Sequence, residues 1–580
     1  MSQIAAYSPA RTSKGSIDGW MVALPLVSLG LFVALPIALL VIRSLHDDSE
    51  AWIGLRNYHA YLTTPALFIA ASNSLIVAFV SSSVAVVLAS LVAFVVSRTH
   101  VPGRSALTHL MMLPMYAPTM LIGLALVYLF GRQGLVTRGF FGAIPGVDIG
   151  LYGLTGIILA ETLLVLPAAM LVMNVAMRGI DGRLDDAARS IGASGLRRLR
   201  VVVLPAITFG LIASFLACFV TALTDFGAPK IVGGQTQVLP VQIYQQVVGQ
   251  ANLSMGATVA VFLLVPAGLC FILQQRLERR ARSAGLDARA TPARVRRNIP
   301  RDLGLSFFAM IIAGVLLCVL ATSVFASLVN VWPWSIARPD AVDGPMFSLR
   351  HYFPTDSAVA GGMRSLFNSL GLALVSALVG TTFAFVGAYA VEKLRRQQLH
   401  RSLIRLLSLL PLAMPGIVVG LALLLLFNRP TLIGLPNPTG PLYGSYAAIV
   451  IANVVHFMGM AFLTTTASLK QQSPVFEESA QSMGVSRLRL LGRVTVPLSA
   501  PALIDVGVYL FVNAMTTVSA VIFLYSPTTI TASVAVVALD DAGEQQAATA
   551  LCVAITFINI VVALLGGWIK RRLLRNPHRN

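Results

Sequence analysis

The sequence predicts an all-α polytopic membrane protein, with about twelve transmembrane helices in two homologous six-helix halves. Three observations predict it. Of 580 residues, 56% are hydrophobic and only 11% charged, far from the balance of a soluble domain. The apolar residues come in continuous runs long enough for helices to cross a bilayer, roughly 20 residues each. A polar stretch, "DDAARSIGASGLRRLRVVVLP" at 185–205, returns as "EESAQSMGVSRLRLLGRVTVP" at 477–497. A transmembrane barrel would show alternating strands of about ten residues, which these Leu-, Val- and Ala-rich runs do not.

In chain order, the first span (19–43) follows a basic N-terminus. Its run is too long for a signal-peptide core and lacks a small-residue cleavage site, so it reads as a retained helix. The second span is 67–97. The third, 106–131, carries Pro114 and Pro118, which kink a helix from within. The fourth, fifth and sixth are 151–173, 200–226 and 252–274. The order then repeats: 303–330, 365–391, 402–427 with Pro411 and Pro415, 444–466, 497–523 and 548–568. Residues 1–280 form a first domain, 281–302 a basic linker and 303–580 a second domain. An even number of spans in each half sets the two in parallel, related by an axis along the membrane normal. Cys218, Cys270, Cys318 and Cys552 fall within spans at no metal-ligand spacing and read as small apolar residues.

The net charge of +19 suits nucleic acid in principle, but its distribution points elsewhere. Arg and Lys crowd alternate loops, among them "SRTHVPGR", "EKLRRQQLHR" and the tail "KRRLLRNPHRN". That is the positive-inside pattern, and it puts those loops and both termini in the cytoplasm. The opposite loops, such as "HDDSEAWIGLRNYHAYL" and "LDDAGEQQ", hold acidic and aromatic residues.

The repeated stretch aligns without a gap at a separation of 292 residues: Asp186 with Glu478, Ala188 with Ala480, Gly192 with Gly484, Leu196 with Leu488, Pro205 with Pro497. Each copy lies between the fourth and fifth spans of its half. The carboxylates of Asp185 and Asp186, or Glu477 and Glu478, open a short helix where the macrodipole favours them. Gly192 and Gly484 either end that helix or permit close backbone approach. Leu184, Ala187, Ala188 and Ile191 give the first copy a partly apolar face; Phe476, Ala480 and Met483 do so in the second. Such a helix suits a groove on a soluble partner. The rival reading is an interfacial loop whose arginines only set topology, but arginines alone need no matched Gly and Pro.

These segments resemble the EAA loop of ABC importer permeases: Glu-Ala-Ala, three residues, Gly, a spacer, then an aliphatic residue and Pro. Asp186 replaces the leading Glu in the first copy and Ser479 the middle Ala in the second. The resemblance implies two type I ABC importer permease bundles in a bacterial inner membrane. It makes Asp185, Asp186, Ala187, Ala188, Gly192, Leu196 and Pro205, with Glu477, Glu478, Ala480, Gly484, Leu488 and Pro497, the coupling surface for two copies of an ABC ATPase subunit. It also implies a periplasmic substrate-binding protein that delivers a small-molecule or ion substrate. No Walker-type Gly-x-x-x-x-Gly-Lys-Ser/Thr occurs in the sequence, so ATP hydrolysis falls to that separate subunit. No cofactor, metal site or nucleic-acid partner is expected; membrane lipid is.

Ionisable residues within spans are functional suspects. Asp225, with Thr221 and Thr224, ends the fifth span; Asn513, Thr516 and Thr517 hold the matching place in the second half. Together they predict a polar lining where the halves meet. The rival reading has Asp225 and Lys230 solvated at headgroup level. Glu161, His456 and Asp505 read as capping or interhelical hydrogen-bonding groups. The fused arrangement resembles permeases for 2-aminoethylphosphonate uptake, within a group that includes ferric iron importers. Phosphonate is therefore the expected cargo and iron the alternative. An ion-driven secondary transporter would want mid-membrane carboxylates rather than docking helices, and a scaffold without transport explains neither the repeat nor its Gly and Pro.

Overall fold

The apolar runs fold as helices because a backbone in hydrocarbon must satisfy its own hydrogen bonds. The computed structural model describes residues 16–101, 103–283, 298–332, 345–353, 362–394, 398–432 and 434–575. Most of the linker expected at 281–302, and both chain ends, lie outside the described residues. In the first half, α1 (Gly19–Ser44) leads through a short helix α2 (Arg56–Thr63) to α3 (Pro65–Arg98). A bent pair follows, α4 (Arg104–Tyr116) and α5 (Thr119–Phe130). Next come α6 (Leu154–Arg178), the short α7 (Gly182–Ser190), α8 (Gly195–Thr224), two short helices α9 (Gly227–Val232) and α10 (Leu239–Tyr244), and α11 (Leu253–Leu277). The second half repeats the order: α12 (Ile299–Leu328), α13 (Gly362–Glu392), the bent pair α14 (Gln398–Ala413) and α15 (Gly416–Phe427), and α16 (Tyr446–Gln471). It closes with α17 (Val475–Ser482), α18 (Arg487–Thr516), α19 (Ala532–Asp541) and α20 (Gln545–Leu574). A two-residue ribbon, Thr431–Leu432 with Leu435–Pro436, joins α15 to α16.

Ten of these helices are long and apolar enough to cross a bilayer, and the count reaches twelve when each bent pair is one span. The kinks expected in the third spans are breaks of 102° and 118°. The residue before each second proline is driven out of the helical region, with ψ 146° at Ala117 and 122° at Met414. Pro118 and Pro415 then start a new helix. Two expected boundaries shift: the fifth and eleventh spans stop at Thr224 and Thr516, not 226 and 523. Asp225 and Thr517 adopt extended backbone, ψ 137° and 131°, and turn the following loop onto α5 and α15. That approach is close: a side chain on Gly227 would collide with Thr119, and one on Gly416 with Ser519.

Each half is built on a triangle of its second, fourth and fifth spans, α3–α6–α8 and α13–α16–α18. Small buried residues line the second span at matched positions, Ala78, Ser81, Ala85, Ala89 and Ala93 against Ala373, Ser376, Gly380, Ala384 and Ala388. Without a hydrophobic gradient between helix and lipid, such close approach is what packs them. The first spans bridge the halves: α1 packs on α11 of its own half and on α13, α14 and α15 of the other, and α12 packs on α20 of its own half and on α3, α4 and α5 of the other.

Candidate functional site

The repeated polar segments fold alike. In the first half Asp181 caps α7, its carboxylate accepting from the Arg183 N–H at 3.0 Å. The helix ends at Gly192, whose φ of +78° lies in the left-handed region. Ala193 N–H donates to Ala188 O at 3.0 Å and Gly192 N–H to Arg189 O at 2.9 Å, a Schellman closure. In the second half Gly484 has φ +69°, and Val485 N–H donates to Ala480 O at 2.9 Å. A Cβ on either glycine would meet nothing within 4 Å. Of the two roles open to these glycines, the structure shows the helix stop. A further turn, a π-helical stretch (Leu199–Val203 or Leu491–Thr495) and then Pro205 or Pro497 in the first turn of the membrane helix complete each copy.

The two carboxylates of each copy divide their tasks. Asp186 and Glu478 are exposed, whereas Asp185 and Glu477 are half-buried and ion-paired, Asp185 with Arg198 at 3.3 Å and Glu477 with Lys393 at 2.8 Å. Lys393 and its counterpart Arg98 stand at the ends of the second spans, and Arg98 lies within electrostatic range of Asp185. The Arg198 tether lies within the first copy of the repeat, at a position the second copy fills with Leu490, whereas the Lys393 tether lies outside it; the signal for that one was the matched Arg98 and Lys393 closing the aligned second spans. Ala187 is exposed, Ala188 half-buried and Ala480 buried against the body. The larger apolar residues face away from the body. Leu184, Ile191 and Leu196 are 57%, 84% and 61% exposed; Phe476, Met483 and Leu488 are 45%, 72% and 54%.

At the other end of the fifth spans, the Asp225 carboxylate accepts from the Ala228 N–H at 2.9 Å. Glu161 is wholly buried and faces Asp225; its oxygens have no further partner among the described residues. With Thr119 this forms a polar island at the break of the third span. The other expected lining residues take their hydrogen bonds elsewhere. Thr221, Thr224, Asn513 and Thr516 bond to carbonyls of their own helices, while Thr517 O accepts from Ser533. The halves meet nearby through Lys230, whose ammonium pairs with Asp541 at 2.8 Å and lies 5.6 Å from the Tyr244 ring. Lys230 is thus engaged by protein and not simply solvated. Asp505 pairs with Lys570, as an interhelical group should. Sequence reasoning missed Asn559: wholly buried, it donates at 2.9 Å to the Tyr116 carbonyl freed by the Pro118 break, across the two halves.

The family described as "Binding-protein-dependent transport system inner membrane component" matches this chain twice, over residues 85–283 and 363–575. The ferric transport system permease protein of Actinobacillus pleuropneumoniae is 26% identical over 463 residues, 79% of this chain and 64% of its own length. A putative ferric transport system permease protein of Haemophilus influenzae is 27% identical over 425 residues, 72% of this chain and 64% of its own. The alignments therefore span just under two thirds of those relatives. A putative 2-aminoethylphosphonate transport system permease protein of Salmonella typhi is 27% identical over 251 residues, 42% of this chain and 86% of its own. Among solved structures, a bacterial ABC transporter involved in importing the acidic polysaccharide alginate has a chain 19% identical, covering 47% of this chain and 97% of its own at TM-score 0.37. With both halves matched, the chain belongs to the family of binding-protein-dependent transport system inner membrane components.

Proposed function

We propose that this multi-pass permease forms the translocation pathway of an ATP-driven importer. Two copies of a separate ABC ATPase engage residues 183–198 and 475–491, and a periplasmic binding protein delivers cargo to the opposite face. The basic face, with both termini, is cytoplasmic. The observation that carries this reading is the duplicated surface segment. Each copy presents three large apolar side chains to solvent on a scaffold fixed by a glycine stop and an ion pair, and burying such side chains in a partner is favourable. Closure of the ATPase dimer would move α7 and α17 together, and the halves would rock about the interface sealed by Lys230 and Asp541. Residues 1–280 and 303–580 act as the two rocking units.

For the cargo, 2-aminoethylphosphonate rests on relatives that align with only part of the chain. Ferric iron is the second reading, and two observations favour it. The ferric relatives align across both halves, and the island at the third-span break holds two carboxylates, Glu161 and Asp225, while Lys230 is already paired. The deciding experiment measures ATPase activity of the purified complex in lipid, with its ATPase and binding protein, titrated separately with each cargo. The variant with both Gly192→Asp and Gly484→Asp is run alongside. Stimulation by one cargo that is lost in this variant while the complex stays assembled supports the importer and names its cargo. Equal stimulation of variant and wild type refutes the coupling role.

A further inference from the structure

We propose that the first half carries a binding site for a phosphate-bearing anion at its basic face, one that the second half has filled with its own carboxylate. A cavity of about 690 Å³ opens between the ends of α3, α4 and α6, lined by Arg98, Arg104, Arg178, His109, Ser105 and Asn174. Among the described residues, Arg98, Arg104 and Arg178 form no ion pair. Arg98 also buries an Nη2 that has no hydrogen-bond partner. Asp185 lies in electrostatic range of Arg98 but accepts its hydrogen bonds from Arg198. Three guanidinium groups around one cavity repel one another unless an anion sits among them, and their planar forks match phosphate oxygens.

The duplication supplies an internal control. In the second half, the cavity beside Glu392, Lys393 and Lys470 measures about 330 Å³ and is walled by Glu477, Glu478 and Arg487 of the repeated segment instead of by the start of the third span. Glu392 pairs with Arg405 at 2.9 Å and Lys470 at 3.8 Å. Arg401, the counterpart of Arg104, donates to Val391 O at 2.6 Å. Ser97 stands where the aligned second span of the other half has Glu392, and in the fourth spans Arg178 stands where that half has Lys470. Thr108 stands where the second half has Arg405, so the first half lacks the whole Glu392–Arg405 pair but keeps Arg98, Arg104 and Arg178 around a cavity lined by no carboxylate. Because the cavity sits where membrane helices end, the phosphate belongs either to an anionic lipid headgroup or to a free phosphate in solution. This inference depends neither on the cargo nor on the coupling role.

The test is run on the full-length chain. Native mass spectrometry in detergent titrates phosphatidylglycerol against phosphatidylcholine. Thermal unfolding is followed with inorganic phosphate against chloride at equal ionic strength. Wild type should retain phosphatidylglycerol over phosphatidylcholine, be stabilised by phosphate, or both; the first result assigns the lipid source and the second the dissolved one. Ser97→Glu, which removes no arginine, and Arg104→Gln with Arg178→Gln should each weaken that binding about ten-fold or more, as loss of charge-assisted hydrogen bonds does. Arg405→Gln with Lys470→Gln in the second half should leave it within about two-fold, the range expected of a site uninvolved in binding. Binding of neither probe, binding unchanged by both first-half variants, or an equal loss in the second-half control overturns the proposal. Ser97→Glu and the double variant fail independently, so misfolding of one leaves the other decisive.

Discussion

Gly192 and Gly484 show how much one backbone angle carries. Both sit in the left-handed region with empty space where a Cβ would go, so any cost of substitution is conformational, about 1–2 kcal/mol for an ordinary L-residue. Gly192→Ala and Gly484→Ala should each lower cargo-stimulated ATPase activity of the assembled complex. The Asn variants, which tolerate that region, should retain more of it; equal loss in both would mean the angle is not what matters. Glu477 and Lys393 are both largely shielded, with side chains 18% and 9% exposed. Lys393→Glu places two like charges together and should cost about 3 kcal/mol, in the range for breaking a buried pair. Adding Glu477→Lys should restore much of it, as read by thermal unfolding in detergent.

At the scale of the element, the breaks at Pro118 and Pro415 leave carbonyls without helical partners. Asn559 of α20 answers one of them, at Tyr116. Asn559→Leu should cost about 1–3 kcal/mol by stranding that acceptor, seen as a lower unfolding temperature; an unchanged temperature would show that the carbonyl finds another donor. The sequence already showed the prolines, the runs and the repeat, because hydrophobic length and backbone chemistry are local. It did not show that the third spans turn by more than 100°, since the angle depends on what packs against the break. Nor did it show that Thr221 and Asn513 spend their polar atoms on their own helices, a choice fixed by rotamer and neighbour. Asn559 escaped notice because a lone Asn in an apolar run carries no spacing to betray it. Asp185 and Glu477 were legible as helix-start carboxylates, but their partners Arg198 and Lys393 lie 13 and 84 residues away in the chain.

At the scale of the whole molecule, the halves are joined near Lys230 and Asp541, with Asp540 beside them. Burial pushes the Asp540 carboxyl up to about 6, aided by the neighbouring Asp541 charge and opposed by the Gln545 hydrogen bond and Lys230. The folded state then holds this proton more tightly than the unfolded chain. Its contribution is complete below about pH 4 and is lost as pH rises through about 6. Asp540→Asn should flatten the pH dependence of thermal unfolding across that window and raise stability at pH 7.5 by about 1–3 kcal/mol. A variant that tracks wild type at every pH would show that Asp540 is not the titrating group. Lys230→Met should loosen the same junction, and cysteines placed on its two sides should crosslink more slowly than in wild type. The bridging of the halves by α1 and α12 limits what such loosening can become. Each of these helices packs on both halves at once, so drawing the halves straight apart would strip two helices of part of their packing together. The cheap motion is a hinge turning with both arms still clasped, and a chain cut in the linker should still purify as one particle.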